Sequence, residues 1–359
     1  MSTKTPNSLQ RRGGTNLTLV SDLGKALNDR GKDVLDGQST YYNLPLIKKA
    51  HWTWEVILYF FLGGIAGGSF LTATLADLLG TDEDAELVRA GRYLSLACLM
   101  ISPILLIKDL GRPARFHHML RVLKFRSAMS LGTWGLSFFG VFCGMVAAYQ
   151  AARDGLFNWF PPLARLVKAF PVKFLEGVGS FFGLFVASYT GVLLAATAVP
   201  IWARARYILG PLFLSSGLST ALASLSLILS LGRSQRGTLE RIERAEVAAI
   251  TTELSLITAV LPILGPLARP LFKGKIGILF TGGTIGGGLM LPLLTRLASR
   301  LSERPLSRPV RIGNALLTLI GGLILRYTWI VVGRASANDP LAVHYYNAIE
   351  WKNKRHEGE

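Results

Sequence analysis

Eight apolar stretches punctuate this chain, at approximately residues 53–79, 93–109, 128–150, 178–202, 207–231, 247–266, 276–298 and 312–333. A helix needs about 20 apolar residues to cross the hydrocarbon core of a bilayer, and every stretch except the second supplies that length. Inside lipid the backbone must satisfy its own polar groups, which leaves helical bundles and closed barrels. These runs are too long and continuous for the alternating strands of a barrel. The pattern predicts an all-α polytopic membrane protein, an eight-transmembrane-helix bundle built as two four-helix sub-bundles. Around it the sequence divides into a soluble N-terminal arm over 1–50, a membrane domain over 51–335 and a C-terminal tail over 336–359.

The polar segments between spans have patterns of their own. In the basic loop 111–127, Phe116, Met119, Leu120 and Leu123 recur at helical spacing, as in a segment lying in the membrane interface. The loop 233–246 mixes charges of both signs and reads as a short solvated helix. Pro103, Pro200, Pro262 and Pro292 fall within spans and predict local kinks. The runs Gly63-Gly64-Ile65-Ala66-Gly67-Gly68 and Gly282-Gly283-Thr284-Ile285-Gly286-Gly287-Gly288 predict close helix packing. They are not phosphate loops, because no strand precedes them.

Composition agrees with the pattern and narrows the chemistry. The hydrophobic share is 50%, with 38 glycines, and the formal charge of +17 sits almost wholly in tails and loops. On a soluble protein that charge would suggest nucleic acid; here the basic loops face anionic lipid headgroups or an acidic partner. An even number of spans places both termini on one side. Lys and Arg are equally numerous near the two faces, so the positive-inside rule does not orient the bundle. Cys98 and Cys143 are the only cysteines, each within a span, and all five histidines lie outside the spans. An iron–sulfur cluster normally takes four thiolates, and a membrane haem takes axial ligands from inside the bundle. The expectation is a chain with no haem, no iron–sulfur cluster and no metal of its own.

Ionisable groups at membrane depth are costly and mark candidate sites. Glu55, Asp77, Lys108, Asp109, Glu253 and Arg326 are the set. By helical rise, Glu55, Lys108 and Asp109 sit near the face of the termini, with Arg326 on the order of 10 Å beneath it. Asp77 and Glu253 belong to the opposite half, as candidates for a proton path. About 10 Å of depth separates Glu253 from Arg326 and argues against a direct pair. Tyr59 lies one turn inside Glu55 on the same helical face, and Tyr189 falls near mid-membrane. Each phenol is explained either by packing with a bonded hydroxyl or by a site. The convergence of Glu55, Tyr59, Asp109, Arg112, Tyr189 and Arg326 toward one face favours a site. An apolar pocket with a few acid, phenol and guanidinium groups suits a lipophilic ligand with polar oxygens. A quinone fits: its carbonyls accept hydrogen bonds, and its reduction takes up protons that a carboxylate can relay. Buried charges, proline-broken helices and glycine-rich spans would also serve a secondary transporter or a proton-conducting protein.

Several runs carry a family likeness. Trp54-Glu55 leads to the first glycine run; Ile107-Lys108-Asp109-Leu110-Gly111-Arg112-Pro113-Ala114-Arg115-Phe116 closes the second span; Met119-Leu120-Arg121-Val122 and Ser127-Ala128-Met129-Ser130 follow. Together they resemble the NrfD/polysulfide reductase membrane-subunit family. Tyr189-Thr190-Gly191-Val192-Leu193-Leu194 with Pro200 and Trp202 is similar to that family's fourth helix, and Gly321-Gly322 to Arg326 to its last. The likeness covers about residues 50–335. It implies a haem-free quinone-handling anchor in the bacterial cytoplasmic (inner) membrane, inactive alone. Its implied partners are a four-cluster, ferredoxin-like iron–sulfur subunit and a molybdopterin catalytic subunit. The implied quinone site draws on Glu55, Tyr59 and Tyr189; the polysulfide reductase branch has Asn and His at the two first-helix positions. Asp109 and Arg112 match the family's DLGRP motif, where pairing of the two would equally fix the loop. The basic face of Arg112, Arg115, Arg121, Lys124 and Arg126 is expected to dock the iron–sulfur partner through charge complementarity.

Overall fold

The computed structural model describes residue 47 and residues 52–110, 113–232 and 235–356. The N-terminal arm therefore lies outside the described residues, apart from Ile47. Eight helices among the described residues are long and apolar enough to cross a membrane: α1 (Trp54–Leu79), α2 (Ala85–Asp109), α3 (Ala128–Arg153), α4 (Val172–Ala195), α5 (Arg206–Leu231), α6 (Arg236–Leu264), α7 (Gly274–Leu301) and α8 (Arg308–Asn338). A further helix, α9 (Pro340–His356), follows the last span.

Helix α1 is the hub of the first sub-bundle, packing against α2, α4 and α5; α5 is the hub of the second, packing against α4, α6 and α8. The glycine run of α1 is what lets these hubs meet. A Cβ on Gly67 would fall 2.2 Å from the Gly183 carbonyl oxygen of α4, and one on Gly64 would fall 3.1 Å from the Gly217 Cα of α5. Side chains at these positions would hold the backbones apart, so small residues set the interhelical distance. The second glycine run behaves differently. Residues Leu279–Met290 of α7 form a wide π-helical stretch, and Gly288 lies against Gly321 of α8, where a Cβ would approach the Gly321 Cα to 2.6 Å.

The first core is built on Phe60, Phe70 and Phe139, with Phe70 and Phe139 edge to face at 5.5 Å. The second holds Trp202 and Trp329, where the Trp202 indole donates to the Trp329 carbonyl at 3.0 Å. Trp52 stacks on Trp202 at 5.2 Å, and Arg334 at the end of α8 donates to the Trp52 carbonyl at 3.3 Å. These contacts put the start of α1 and the end of α8 on one face, called here the terminal face.

Four boundaries depart from the hydropathy pattern. The second span is a full 25 residues, because its first turns are polar yet helical. The fourth helix stops at Ala195, and Pro200 instead opens a separate short helix, Pro200–Arg204; a proline without an N–H suits a first turn. The charged segment before the sixth span is not a separate solvated helix but the beginning of α6, and it buries Glu246. The amphipathic loop run forms a 3₁₀ helix, Pro113–Leu120.

Candidate functional site

The site is built where α1 begins and α2 ends. Thr53, which precedes α1, donates its hydroxyl to the Glu55 carboxylate and lies 2.8 Å from Asp109 Oδ1. A hydroxyl carries one hydrogen, so Glu55, Thr53 and Asp109 share a single donated proton unless a carboxyl supplies another. Lys108 approaches Glu55 Oε1 to 3.4 Å and lies 4.8 Å over the exposed Trp54 ring. The cluster is thus tied to the water edge on one side and to α1 on the other.

One turn deeper, Tyr59 is buried, with its ring 5.5 Å from Phe60. Helix α4, which packs against α1, carries the second phenol, Tyr189, also buried. Tyr189 donates to the Ala128 carbonyl at 2.5 Å and packs on Phe185 at 5.6 Å. No hydrogen bond of the Tyr59 hydroxyl is formed among the described residues. Tyr189 lies off the middle of its helix: α4 ends at Ala195, which leaves it six residues, about 9 Å, from the helix end. It reaches the first residue of α3.

Arg326 is buried and bonded through Nε and Nη1. Its guanidinium donates to the Phe60 carbonyl at 3.2 Å, to Ser216 Oγ at 3.2 Å and to the Gly322 carbonyl at 2.7 Å. Phe61 and Phe213 flank it at 5.4 and 6.0 Å. Glu253, also buried, accepts from Ser219 Oγ at 2.7 Å. Ser216 and Ser219 are three residues apart on α5, about 4.5 Å along its axis. The 10 Å separation expected for Arg326 and Glu253 is therefore corrected. Helix α8 runs on to Asn338 and carries Arg326 deeper than the hydropathy boundary at 333 implies. The two remain without a direct ion pair among the described residues.

The remaining expected site residues divide. Arg112 lies outside the described residues, as does the Arg115 side chain. Arg121, Lys124 and Arg126 are exposed on the strap that leads into α3. Ser130 pins that strap, accepting from the Lys124 N–H at 3.0 Å and donating to the Val122 carbonyl at 3.2 Å. Asp77 sits on the opposite face, paired with Lys173 and 3.4 Å from Arg92. It shares no network with Glu253, so these two do not form one path.

Sequence reasoning misses a buried ionic cluster around Arg92, which donates to Glu176 at 2.5 and 3.0 Å and to Gln150 at 2.7 Å. Nearby Asp154 accepts from Arg89 at 2.9 Å, Tyr93 at 2.7 Å and Gln150 at 3.0 Å. Partial burial pushes the Asp154 carboxyl up, but these bonds outweigh it and hold the group below the usual aspartate range. In the other sub-bundle Arg296 pairs with Glu246 and Arg311 with Glu243, each at 2.7 Å. The signal that could have found these pairs is opposite charges at the edges of the apolar windows of different spans, on the same face: Arg92, Glu176, Glu246 and Arg311 just outside them and Arg296 just inside.

Comparison with known proteins agrees with this architecture. The family model described as "Polysulphide reductase, NrfD" matches residues 45–337. The sequence is 28% identical over 302 residues to the C subunit of the Wolinella succinogenes polysulfide reductase, covering 79% of this protein and 94% of that one. It is 26% identical over 306 residues to the NrfD homolog of Haemophilus influenzae, with 79% and 94% covered. It is likewise 26% identical over 308 residues to protein NrfD of Escherichia coli, with 79% and 95% covered. With eight membrane-spanning helices and a family match over most of its length, the chain belongs to the polysulphide reductase NrfD family of multi-pass membrane proteins.

Proposed function

We propose that this protein is the quinone- or quinol-binding membrane subunit of a reductase complex in the bacterial cytoplasmic membrane. It passes electrons between the lipid-soluble quinone pool and an iron–sulfur partner that serves a molybdopterin catalytic subunit. The observation that carries the reading is that two buried phenols, Tyr59 one turn below Glu55 on α1 and Tyr189 of α4 bonded to the start of α3, lie toward the same face as the Glu55–Thr53–Asp109 cluster. Phenol hydroxyls suit quinone oxygens, Tyr59 directly and Tyr189 by exchanging its bond to the Ala128 carbonyl for one to the quinone. The carboxylates at the water edge suit the proton exchange that accompanies quinone reduction. The likeness to a polysulfide reductase subunit supports assembly with a catalytic partner, and the exposed Arg121, Lys124 and Arg126 offer it a basic surface beside the phenols.

In this reading the protein binds and orients the quinone, excludes water from it and moves protons, while the redox centres belong to the partner. Purification from native membranes in mild detergent tests it. The expected result is co-isolation with an iron–sulfur protein, an iron–sulfur optical and paramagnetic signal, and no Soret band belonging to this subunit. A protein that isolates alone from membranes in which it is active would contradict it, and would favour a transporter.

A further inference from the structure

A groove of about 540 Å³ runs along the outside of the bundle between α1 and α6, with α5 as its floor. It shares no residue with the site described above. We propose that this groove binds a single phospholipid whose headgroup pairs a phosphate with a primary ammonium, as in phosphatidylethanolamine. One acyl chain fills the groove, and the headgroup sits at its mouth on Arg241 and Glu83. The proposal involves no quinone and no partner subunit, so it goes beyond the reading above and does not depend on it.

The sequences of three helices shape the groove. On α6, Arg241, Ala245, Ala248 and Thr252 recur at four- and three-residue spacing and line it along one helical face. Across from them Leu71, Leu75 and Leu79 stand one turn apart on α1, and Leu218 and Leu222 rise from α5. Large side chains facing small ones leave a trough where two leucine faces would interlock. Ala245, Ala248 and Thr252 are exposed, so the trough opens sideways toward lipid. Its length selects the occupant. Thr252, near the middle of α6, lies about 16 Å along the axis from Arg241, close to half of a hydrocarbon core of about 30 Å. A membrane-crossing helix, from a partner or a second copy, needs a face about twice as long. A trough one leaflet deep suits an acyl chain.

Lipid tails are as apolar as leucine, so the chain alone distinguishes no lipid, and selection falls to the mouth. There Arg241 Nη2 lies 3.1 Å from Asp84 Oδ1, 3.5 Å from Glu83 Oε2 and 3.2 Å from Thr81 Oγ1. Asp84 is buried and fixed in place, accepting from the Thr81 N–H at 3.1 Å and from the Thr238 hydroxyl at 2.7 Å. Arg241 and Glu83 keep side-chain exposures of 40% and 51%. All three contacts of the guanidinium fall on one nitrogen, and a guanidinium has five N–H donors, so donors remain for a phosphate. The local charge decides the rest of the headgroup. One guanidinium faces the two carboxylates of Glu83 and Asp84, so a lipid bringing only negative charge adds to an acidic excess. A primary ammonium beside the phosphate cancels that charge and offers donors to Glu83. The quaternary nitrogen of a choline headgroup has no N–H to give, and a glycerol headgroup has no positive charge.

Native mass spectrometry of the full-length protein tests this, after delipidation in detergent and addition of phosphatidylethanolamine, phosphatidylcholine and phosphatidylglycerol in equal amounts with identical chains. Retention of one phosphatidylethanolamine is expected, favoured by about tenfold, the scale of one hydrogen bond to a charged group. The same lipid with a photoreactive acyl chain should cross-link chiefly to residues 71–80 and 245–252. Glu83→Gln should reduce the preference over phosphatidylglycerol. Ala248→Phe, at an exposed position where the ring fills the trough without entering the core, should lower retention and cross-linking about tenfold for every headgroup. Equal retention of the three lipids, cross-links spread evenly over the eight spans, or retention unchanged in either variant would overturn the proposal. So would a second copy or a partner helix that cross-links to the trough and is released by Ala248→Phe.

Discussion

The ring of Tyr189 rests directly on the backbone of Gly132: a methyl group at Gly132 would fall 2.2 Å from the tyrosine Cζ and 2.3 Å from its hydroxyl oxygen. Helix α3 therefore holds the phenol twice, by leaving room for the ring and by accepting its hydrogen bond at Ala128. Gly132→Ala is expected to displace the ring, at an overpacking cost of about 1–3 kcal/mol. Quinone-dependent turnover of the assembled complex should fall at least as far as in Tyr189→Phe, while partner co-purification persists. Steady-state kinetics on the purified complex checks this.

Two other glycines separate packing from propensity. Gly67→Ala directs a methyl into the Gly183 backbone, which has no side chain to yield, so the α1–α4 contact must open. Gly140→Ala in α3 meets nothing within 4 Å. Heating the two variants in detergent should show a clearly earlier loss of the folded form for Gly67→Ala, consistent with about 1–3 kcal/mol, and little change for Gly140→Ala.

Arg326 ties α8 to α1 and α5 at once, through Phe60, Ser216 and Gly322. Arg326→Met removes donors from three buried oxygens, a loss of several kcal/mol given that bonds to charged groups contribute roughly 1.5–3 kcal/mol each. Lys lacks the planar fork, so Arg326→Lys should recover only part of that. Thermal scans of the purified variants should rank wild type above Lys and Lys above Met.

Much of this architecture is legible in the sequence because hydropathy reports burial in lipid directly. All eight spans, the glycine run of α1 and the grouping of Glu55, Tyr59 and Asp109 follow from it. What hydropathy does not report is which helices touch. Arg92 and Glu176 lie just outside the apolar windows, so they read as surface charges until α2 and α4 are seen packed around α1. Glu246 reads as part of a solvated loop because charged residues dominate its neighbourhood, although the helix carrying it continues unbroken into the membrane. The link from Arg326 to Glu253 runs through Ser216 and Ser219, residues with no signal of their own. Tyr189 reads as too deep because Pro200 looks like a kink within the span, when the helix breaks before it.

The strap of Arg121, Lys124 and Arg126 is exposed and carries no ion pair among the described residues. Reversing Arg121 and Lys124 to Glu should loosen the iron–sulfur partner without unfolding the bundle, since the strap is held by Ser130 through backbone groups. Partner retention should fall most steeply with added salt near physiological strength, where screening acts over about 8 Å. Quantitative co-purification across a salt series measures it; retention equal to wild type at every salt concentration would remove the docking role.

The most direct test of quinone binding is the kinetics of an assembled Tyr189→Phe, Glu55→Gln double variant. Phe keeps the ring on Gly132 and removes only the hydroxyl, while Gln keeps a bonded side chain beside Thr53 and removes the charge. Each lost hydrogen bond is expected to cost about 0.5–1.5 kcal/mol, a few-fold to tenfold in apparent quinone affinity. Electron transfer from the partner to soluble acceptors should be unchanged. Quinone turnover that falls while soluble-acceptor activity holds is the predicted result; wild-type quinone kinetics in the assembled double variant would contradict it.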